Sequence, residues 1–436
     1  MIYKKLLLVI LLTIFATSTY AQAGYKELNA KSLNAYNTAK WDSVIYYGKL
    51  AKKENISYYY LSYRLAVANF YLGKYFVSTY YFNKAVKQNE NAMQDLFFID
   101  LYYRALLYSK QYAYAENMFT ANDSIDKIIG IKHRGSFYAS YVNNNTLGTF
   151  DIEDLRMDKN NSISENHYQQ SSNTMGIGGH FIASGKLELS FRYAYSQIGM
   201  ISALENQVLF NIRNYNVNQN VINIKPRIHF SSKSSIDVAF GFHYVNGSPY
   251  TFVDSTAEMD FVDFSNNSIM AGLGYNYLYK NFRLGANAIF SNFGDTKNYQ
   301  FGASLQWFPK GNFNIYSITE ISALKANDQG MRPILYQKIG GKIANKMWLE
   351  TYVIIGDIKN YTMFGNNYTF ETAYKTKALF GAKLLYYNSA KLSFFVGPQI
   401  VSSYNDKVNN GEISKGKGNS LNYYQLNIMG GLQWKY

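Results

Sequence analysis

The feature that most constrains the fold is an alternation of polar and apolar residues that recurs from about residue 132 onward. Its clearest segments are 186–195, 222–230 and 236–244. Because successive side chains of a strand point to opposite faces, this period of two predicts strands with one polar and one apolar face. Alternating segments of roughly ten residues, separated by turns, are typical of a transmembrane β-barrel. A soluble β-sandwich is the alternative.

The connections between these segments alternate between short turns and longer polar loops. Outer-membrane barrels have short turns at the periplasmic end and longer loops outside. Six turns and seven loops predict about fourteen antiparallel strands with both barrel ends in the periplasm; twelve or sixteen stay open, because 206–220 has no clear break. The turns are expected at 184–185, 232–234, 280–281, 309–311, 345–346 and 388–389, and the loops near 146–170, 199–217, 247–265, 294–297, 326–331, 358–370 and 405–420.

The last predicted strand carries a second mark of a barrel. Its apolar face alternates as far as residue 436 through Leu426, Ile428, Gly430, Leu432, Trp434 and Tyr436. The pattern from Met429 to Tyr436 resembles the terminal signal by which the barrel assembly machinery recognises its substrates. This resemblance implies that the assembly machinery is a partner during biogenesis.

Aromatic residues are unusually abundant, with 43 Tyr and 29 Phe. Amphipathic rings collect at the headgroup level of a membrane, so a barrel carries an aromatic girdle at each interface. We expect girdle positions, on lipid faces near strand ends, at Tyr193, Tyr195, Tyr275, Tyr277, Tyr279, Trp307, Tyr386, Trp434 and Tyr436.

The chain begins with the pattern of an export signal. Lys4 and Lys5 precede an apolar run over 6–16, and Ala21-Gln22-Ala23 forms a cleavage site. A membrane-spanning helix, the alternative, needs roughly 20 apolar residues. The sequence therefore predicts a signal peptide over 1–23, a helical domain over 24–130 and a barrel over 131–436.

An internal repeat marks the first third of the chain, where apolar residues recur at helical spacing. Trp41, Tyr75 and Tyr112 occupy corresponding positions, 34 and 37 residues apart. This spacing resembles that of tetratricopeptide repeats, helix–turn–helix units that bury their apolar faces by stacking. A non-repeating helical bundle is the alternative. The middle unit matches best, through Leu65, Ala66, Gly73, Tyr75, Phe82 and Ala85.

The resemblance also implies a binding groove. In tetratricopeptide proteins the first helix of each unit lines a concave surface that holds a peptide or a helix. Carried over by position, the partner-binding residues are Tyr36, Tyr60, Tyr63, Arg104 and Tyr108, with Leu33 and Val67 beside them. Exposed aromatic rings near an arginine suit protein recognition, although rings also fill gaps between helices.

Basic residues exceed acidic ones, giving a formal charge of +14. No basic stripe with a nucleic-acid motif is present, so nucleic acid is disfavoured as a partner. The strand phase directs basic side chains into the barrel lumen, where they form either an anion-favouring pore or ion pairs that brace a filled barrel. The predicted lumenal residues are Arg192, Lys225, Arg227, Arg283, Lys338, Lys342, Lys375, Lys377 and Lys383, with Glu188, Asp237, Glu320 and Glu350 as acidic counterparts.

Catalytic signatures are weak. The chain has no cysteine, and the five histidines show no metal-ligand spacing. His243, near Asn246 and Ser248, is the one hydrolase-like group, and an acidic loop near 254–263 lacks the glycine of a calcium loop. We therefore expect no enzyme activity, cofactor or metal.

A signal peptide, tetratricopeptide-like units and a C-terminal barrel together resemble the tetratricopeptide-plus-barrel outer-membrane proteins of Gram-negative bacteria, including YaiO-like ones. The Asn, Lys, Tyr and Ile content resembles that of Bacteroidota. The resemblance implies an α + β multidomain protein in the outer membrane, surrounded by its lipid, with the helices in the periplasm. Two functions follow as hypotheses: recruitment of a periplasmic or outer-membrane protein, or a channel for a small, anionic solute.

Overall fold

We describe a computed structural model of the chain. The described residues are 24–120, 135–147, 163–206, 210–252, 259–293, 296–327, 330–366, 368–370, 375–389, 391–406, 408–409, 412–413 and 420–435. They form two compact units. The first comprises the helices together with segments 279–281 and 308–313, and the second comprises the rest of the strand-rich region.

Six α-helices and one short 3-10 helix form the first unit. Each helix from α2 onward packs against the next in sequence, which is the arrangement expected of stacked helix pairs. The helices are α1 (24–37), α2 (Trp41–Lys53), α3 (Tyr59–Tyr71), α4 (Tyr75–Gln88), α5 (Leu96–Tyr108) and α6 (Tyr112–Thr120), with the 3-10 helix at Glu90–Gln94.

The turns inside the three helix pairs share one geometry. Ala39, Gly73 and Lys110 each adopt a positive φ, of 51°, 69° and 56°. In each turn this residue donates its N–H to the carbonyl three residues back, and the next residue donates to the carbonyl five back. This is a Schellman cap, which satisfies carbonyls at a helix end and stops the helix. The chain thus folds three times into the same helix–turn–helix unit.

Large aromatic side chains fill the core of the helical unit. Phe82 stacks on Tyr102 with ring centroids 5.2 Å apart, and Phe98 meets Phe82 edge-on at 5.0 Å. Ala66 and Ala85 are fully buried beside them. Small residues facing large ones let neighbouring helices approach closely, which explains the spacing of alanine and aromatic residues in the repeat.

Fourteen antiparallel strands form a closed barrel in the second unit. Each strand pairs with the next in sequence, and β1 pairs with β14 to complete the ring. The strands are β1 (Gly135–Leu147), β2 (Ile163–Ser184), β3 (Leu187–Asn206), β4 (Phe210–His229), β5 (Ser234–Gly247), β6 (Phe264–Tyr279), β7 (Phe282–Phe293), β8 (Thr296–Trp307), β9 (Ile315–Ala326), β10 (Arg332–Ala344), β11 (Met347–Ile355), β12 (Lys375–Tyr387), β13 (Leu392–Asp406) and β14 (Ser420–Lys435).

The six predicted short turns lie between the strands where the sequence indicated them, and the predicted fold class is confirmed. Two predicted loops are wrong in extent. Strand β3 ends only at Asn206, and β4 already begins at Phe210. The pairing of Gly199 with Asn216 therefore lies inside the expected loop 199–217. Likewise β2 begins at Ile163, within the expected loop 146–170. Short hairpins pair Tyr250–Phe252 with Met259–Phe261, Tyr361–Met363 with Tyr368–Phe370, and Val408–Asn409 with Glu412–Ile413.

The barrel wall separates apolar and polar side chains by strand phase. On β14, Ile428, Leu432 and Trp434 are exposed outward, whereas Gln425 and Asn427 are buried inward. Of the nine predicted girdle residues, Tyr193, Tyr195, Tyr275, Tyr279, Trp307, Tyr386 and Trp434 are exposed, Tyr277 is partly exposed, and Tyr436 lies outside the described residues.

Candidate functional site

The barrel interior contains part of its own chain. Residues 356–366, here called the inner segment, follow β11 directly. Gly356 begins it with a φ of 124°, and a Cβ there would come 2.5 Å from the Pro333 carbonyl oxygen, so the turn into the interior requires glycine. The segment continues through the strand Tyr361–Met363 and a 3-10 turn at Phe364–Asn366.

One side of the inner segment packs on strands β9 to β13. Ile358, Tyr361 and Met363 form a buried apolar cluster with inward residues of this wall. The wall residues are Leu324, Ile334, Tyr336, Ile354, Leu379 and Val401. Ile358 and Tyr361 retain at most 1% of their surface, so this contact is fully closed to solvent.

The opposite side of the inner segment packs on strands β5 to β7. Phe364 is buried in a cluster with Ala239, Met270, Ile289 and Phe293. Its ring lies over Gly274, where a Cβ would come too close, at 2.3 Å from the ring. Because the segment contacts β9 to β13 on one of its sides and β5 to β7 on the other, it crosses the barrel interior.

Hydrogen bonds fix the inner segment to the wall. Gln300 of β8 donates to the Thr362 carbonyl over 2.8 Å and accepts from the Thr362 N–H over 3.0 Å. Lys225 of β4 donates to the carbonyls of Phe364 and Gly365, each over 3.0 Å. Near the start of the segment, Arg332 pairs with Asp357 at 2.7 Å.

A first interior charge cluster joins β2 to β6. Arg227 donates to both oxygens of Asp237, the Nη2–Oδ2 distance being 2.9 Å, and its Nη1 lies 3.7 Å from Glu188. His180 and His229 contact Glu188 at 3.8 and 3.3 Å. The two carboxylates are largely covered, so their charges are compensated inside the wall.

A second interior cluster lies on β9 to β12. Lys338 binds Glu350 at 2.7 Å, and the Tyr316 hydroxyl donates to the same carboxylate. Lys383 faces Glu350 across the strand pair and lies 4.4 Å from the Phe395 ring centroid. This cluster pairs one lysine with the carboxylate and places a second lysine opposite it on the neighbouring strand.

The structure brings most of the predicted lumenal residues to inward positions. Arg192, Lys225, Arg227, Arg283, Lys338, Lys342 and Lys383 share the phase of the buried polar residues on their strands. Lys377 lies at a bulge of β12, where Thr376 is the buried residue and Lys377 is exposed. The Lys375 side chain lies outside the described residues.

The predicted groove residues of the helical unit differ in exposure. Tyr60 is 62% exposed and Tyr108 49%, and Arg104 is exposed and paired with Asp100 at 2.8 Å. Tyr36 and Tyr63 are half-buried against the core, and Tyr63 stacks on Phe98 at 5.8 Å, so burial raises the pKa of its hydroxyl. Beside them, Leu33 is exposed and Val67 is fully buried.

A polar network that the sequence did not reveal lies where β2 begins and β3 ends. His167 lies 2.8 Å from Glu165 and 3.0 Å from the Ser202 hydroxyl, which resembles a hydrolytic triad. Ser202 has no exposed surface, however, and the Tyr215 hydroxyl lies 3.1 Å from the same ring nitrogen. Thr251 donates to Glu165 over 2.6 Å. The network therefore ties β2, β3, β4 and the hairpin at 250–252 together without offering Ser202 to a substrate.

The hydrolase-like group named from the sequence has different contacts. His243 is fully buried with its ring 5.2 Å from that of Phe293, and Ser248 donates to Asp263. No group of three or more His, Asp or Glu side chains in the described parts of the chain is placed to hold a metal ion. The acidic positions 254–258 lie outside the described residues. No helix within the described ranges is long and apolar enough to cross a membrane.

Comparison with known proteins gives distant structural matches. No family model and no curated protein matches the chain. The toluene transporter TodX of Pseudomonas putida aligns at 8% identity and a TM-score of 0.43, covering 69% of this chain and 89% of TodX. The NalP translocator domain of Neisseria meningitidis aligns at 9% identity and a TM-score of 0.33, covering 76% and 100%. Likeness this distant carries no information about what the present chain binds or transports.

Proposed function

We propose that this chain is an outer-membrane protein in which a closed barrel anchors a periplasmic helical repeat that recruits a protein partner. The membrane assignment rests on the outer surface of the barrel. Ile269, Phe301, Ile321 and Phe380, on four different strands, are more than half exposed to the outside of the barrel. Such a band is costly in water and favourable in lipid.

The observation that carries the anchoring role is the occupied interior. The inner segment crosses the barrel interior and buries apolar residues against two groups of strands, β9 to β13 and β5 to β7. A conduit needs a continuous solvated path, and an inner segment that crosses the interior narrows any such path and braces the wall from inside. A barrel braced in this way supports a role as an attachment for the domain that precedes it.

The helical unit supplies the recruiting surface in this proposal. Tyr60 projects from α3, the first helix of its pair, and remains 62% exposed beside Tyr59. Leu96 and Phe97, at the start of α5, are also about half exposed. Large exposed aromatic and apolar side chains on corresponding helices of neighbouring repeats suit the anchors of a protein interface.

Partner capture from detergent-solubilised envelopes tests this role with the full chain. The test variant is Tyr60→Ala, and the matched control is Tyr46→Ala, which removes a 58% exposed tyrosine from α2, the second helix of its pair. An anchor contributes roughly 1–3 kcal/mol, so we expect Tyr60→Ala to weaken capture of a specific envelope protein about 5- to 150-fold. Equal capture by both variants would remove the groove from the proposal.

A second function, passage of a small anionic solute, is favoured by the basic residues facing the interior. The Arg283 side chain makes no ion pair or hydrogen bond with another described residue, and the Lys342 ammonium, which has no ion pair in the described ranges, lies 5.4 Å from the Trp348 ring centroid. Basic side chains lining a lumen select for anions. Steady anion-selective conductance of the wild-type protein in planar bilayers would put this function first, and a silent wild-type protein favours recruitment.

A further inference from the structure

Specific polar contacts and one shaped recess add to the two apolar clusters that hold the inner segment. Gln300 exchanges two hydrogen bonds with Thr362, and Phe364 sits in a recess that two glycines, Gly272 and Gly274, leave open. A Cβ at Gly272 would lie 3.0 Å from the Phe364 ring. Because these two positions carry no side chain, the Phe364 ring has room to pack there. The inner surface of the wall is therefore complementary to this ring.

Lys225 is the charged side chain among those that hold the inner segment. It retains 6% of its surface, and its described hydrogen-bond partners are the carbonyls of Phe364 and Gly365. Among the described residues no carboxylate lies within 4.0 Å of its ammonium, and the neighbouring Asp237 is bound by Arg227. Within the described ranges, this buried ammonium is thus held by two neutral carbonyls and lies over the Phe364 ring, 5.7 Å from its centroid.

An anionic oxygen is a stronger acceptor for an ammonium than a neutral carbonyl, because opposite full charges attract each other strongly in a medium of low dielectric constant. Arg227 and Arg283 occupy inward positions on β4 and β7, so further positive charge lies in the same interior. A small anion entering the barrel would compete with the inner segment for Lys225.

We infer that the inner segment is a displaceable gate and that Lys225, once released by it, binds a small inorganic or carboxylate anion. The closed barrel is the resting state. Departure of the segment opens a passage lined by basic residues, which passes anions in preference to cations. This adds a gated conductance to the anchoring role and does not depend on a recruited partner.

Planar-bilayer recordings of the purified full chain in potassium chloride test the gate. The first variant is Gln300→Ala, which removes both hydrogen bonds to Thr362. Its matched control is Gln306→Ala, on the same strand and face, where the Gln306 side chain has no hydrogen bond to another described residue. Loss of two hydrogen bonds predicts an open fraction raised about tenfold, with an anion-selective reversal potential in a salt gradient.

Lys225→Met distinguishes the role of Lys225 in holding the inner segment from its role in binding an anion. It also releases the segment, so conductance should rise, but its anion selectivity should be lower than that of Gln300→Ala. A third variant, in which a short Gly-Ser linker replaces residues 358–365, should conduct continuously. Heat-modifiable migration on gels confirms that each barrel has folded.

A thiol probe follows the segment directly, because the chain contains no cysteine. Thr362 is 1% exposed, so Thr362→Cys should react slowly with a charged maleimide in the resting protein and several-fold faster when combined with Gln300→Ala. A linker variant as silent as wild type would overturn the gate. Equal selectivity of Lys225→Met and Gln300→Ala would overturn the anion site.

Discussion

Arg227 and Asp237 form a two-pronged ion pair inside the barrel, across neighbouring strands β4 and β5. Their register places the residues opposite each other, and the Nη2–Oδ2 distance is 2.9 Å. Asn276 of β6 donates to the same carboxylate over 3.2 Å. The pair therefore links three consecutive strands through one covered carboxylate.

Removing one member of this pair should destabilise the barrel strongly. In Asp237→Ala the Arg227 guanidinium keeps only its longer contact with Glu188, and breaking a buried ion pair costs roughly 3–5 kcal/mol. We expect a lower temperature for the gel shift between folded and unfolded barrel. The double variant Arg227→Met, Asp237→Leu should recover part of the loss, since it removes both members of the pair while Glu188 keeps its contacts with His180 and His229. A double variant no more stable than Asp237→Ala would contradict this account of the cluster.

The three Schellman turns that lie inside helix pairs predict opposite effects of glycine and alanine. Ala39 and Lys110 adopt the left-handed conformation with a side chain, which costs roughly 1–2 kcal/mol, whereas Gly73 does so freely. Ala39→Gly and Lys110→Gly should each stabilise the helical unit by about 1 kcal/mol, and Gly73→Ala should destabilise it similarly. Helical circular dichroism during urea unfolding gives the three changes. The same sign at all three positions would show that the turns are not equivalent.

We expect Trp434 to be needed for insertion of the barrel into the membrane, and the neighbouring Gln433 not to be. Trp434 is 50% exposed on the outer face and pairs with Leu392 and Phe137, next to the seam between β14 and β1. Trp434→Asp puts a charge on the lipid face and breaks the predicted recognition pattern, so the amount of heat-modifiable barrel in membranes should fall several-fold. Gln433→Asp, at an inward position, is the control. Normal insertion of Trp434→Asp would argue against the recognition role.

The two ends of the barrel should be accessible from different sides of the membrane. Gly330 lies in a loop between β9 and β10 with open space around it, and Lys391 lies exposed in the turn before β13. A membrane-impermeant maleimide should label Gly330→Cys on intact cells and Lys391→Cys only after the outer membrane is opened. The reverse pattern would invert the proposed topology.

Strand phase and turn positions were predictable from the sequence because they depend on local chemistry. A lysine–asparagine turn such as 280–281 interrupts two alternating runs, and alternation then fixes the face of Arg227, Arg283 or Lys338. Bulges break this counting. The register shift at Thr376 moves Lys377 away from the phase that its distance from Lys383 predicts.

The inner segment could not be predicted, because its position depends on the opposite wall. The sequence predicts a loop at 358–370, and the recess at Gly272 and Gly274 on another part of the wall explains where its Phe364 side chain goes. Strands β3 and β4 were likewise underestimated. The extension of β4 is rich in asparagine, as at Asn214, Asn216 and Asn218, which is typical of loops, yet it pairs continuously with β3. Pairing with a long neighbour overrides weak strand propensity.

Site-specific photocrosslinking in intact cells tests the recruiting role most directly. A photoreactive amino acid replaces Tyr60 in one strain and Tyr46 in another, both sites being exposed tyrosines of the helical unit. We expect position 60 to crosslink one discrete envelope protein and position 46 not to crosslink it. Identical crosslinks from both positions, or none from position 60 in an assembled barrel, would contradict recruitment through this groove.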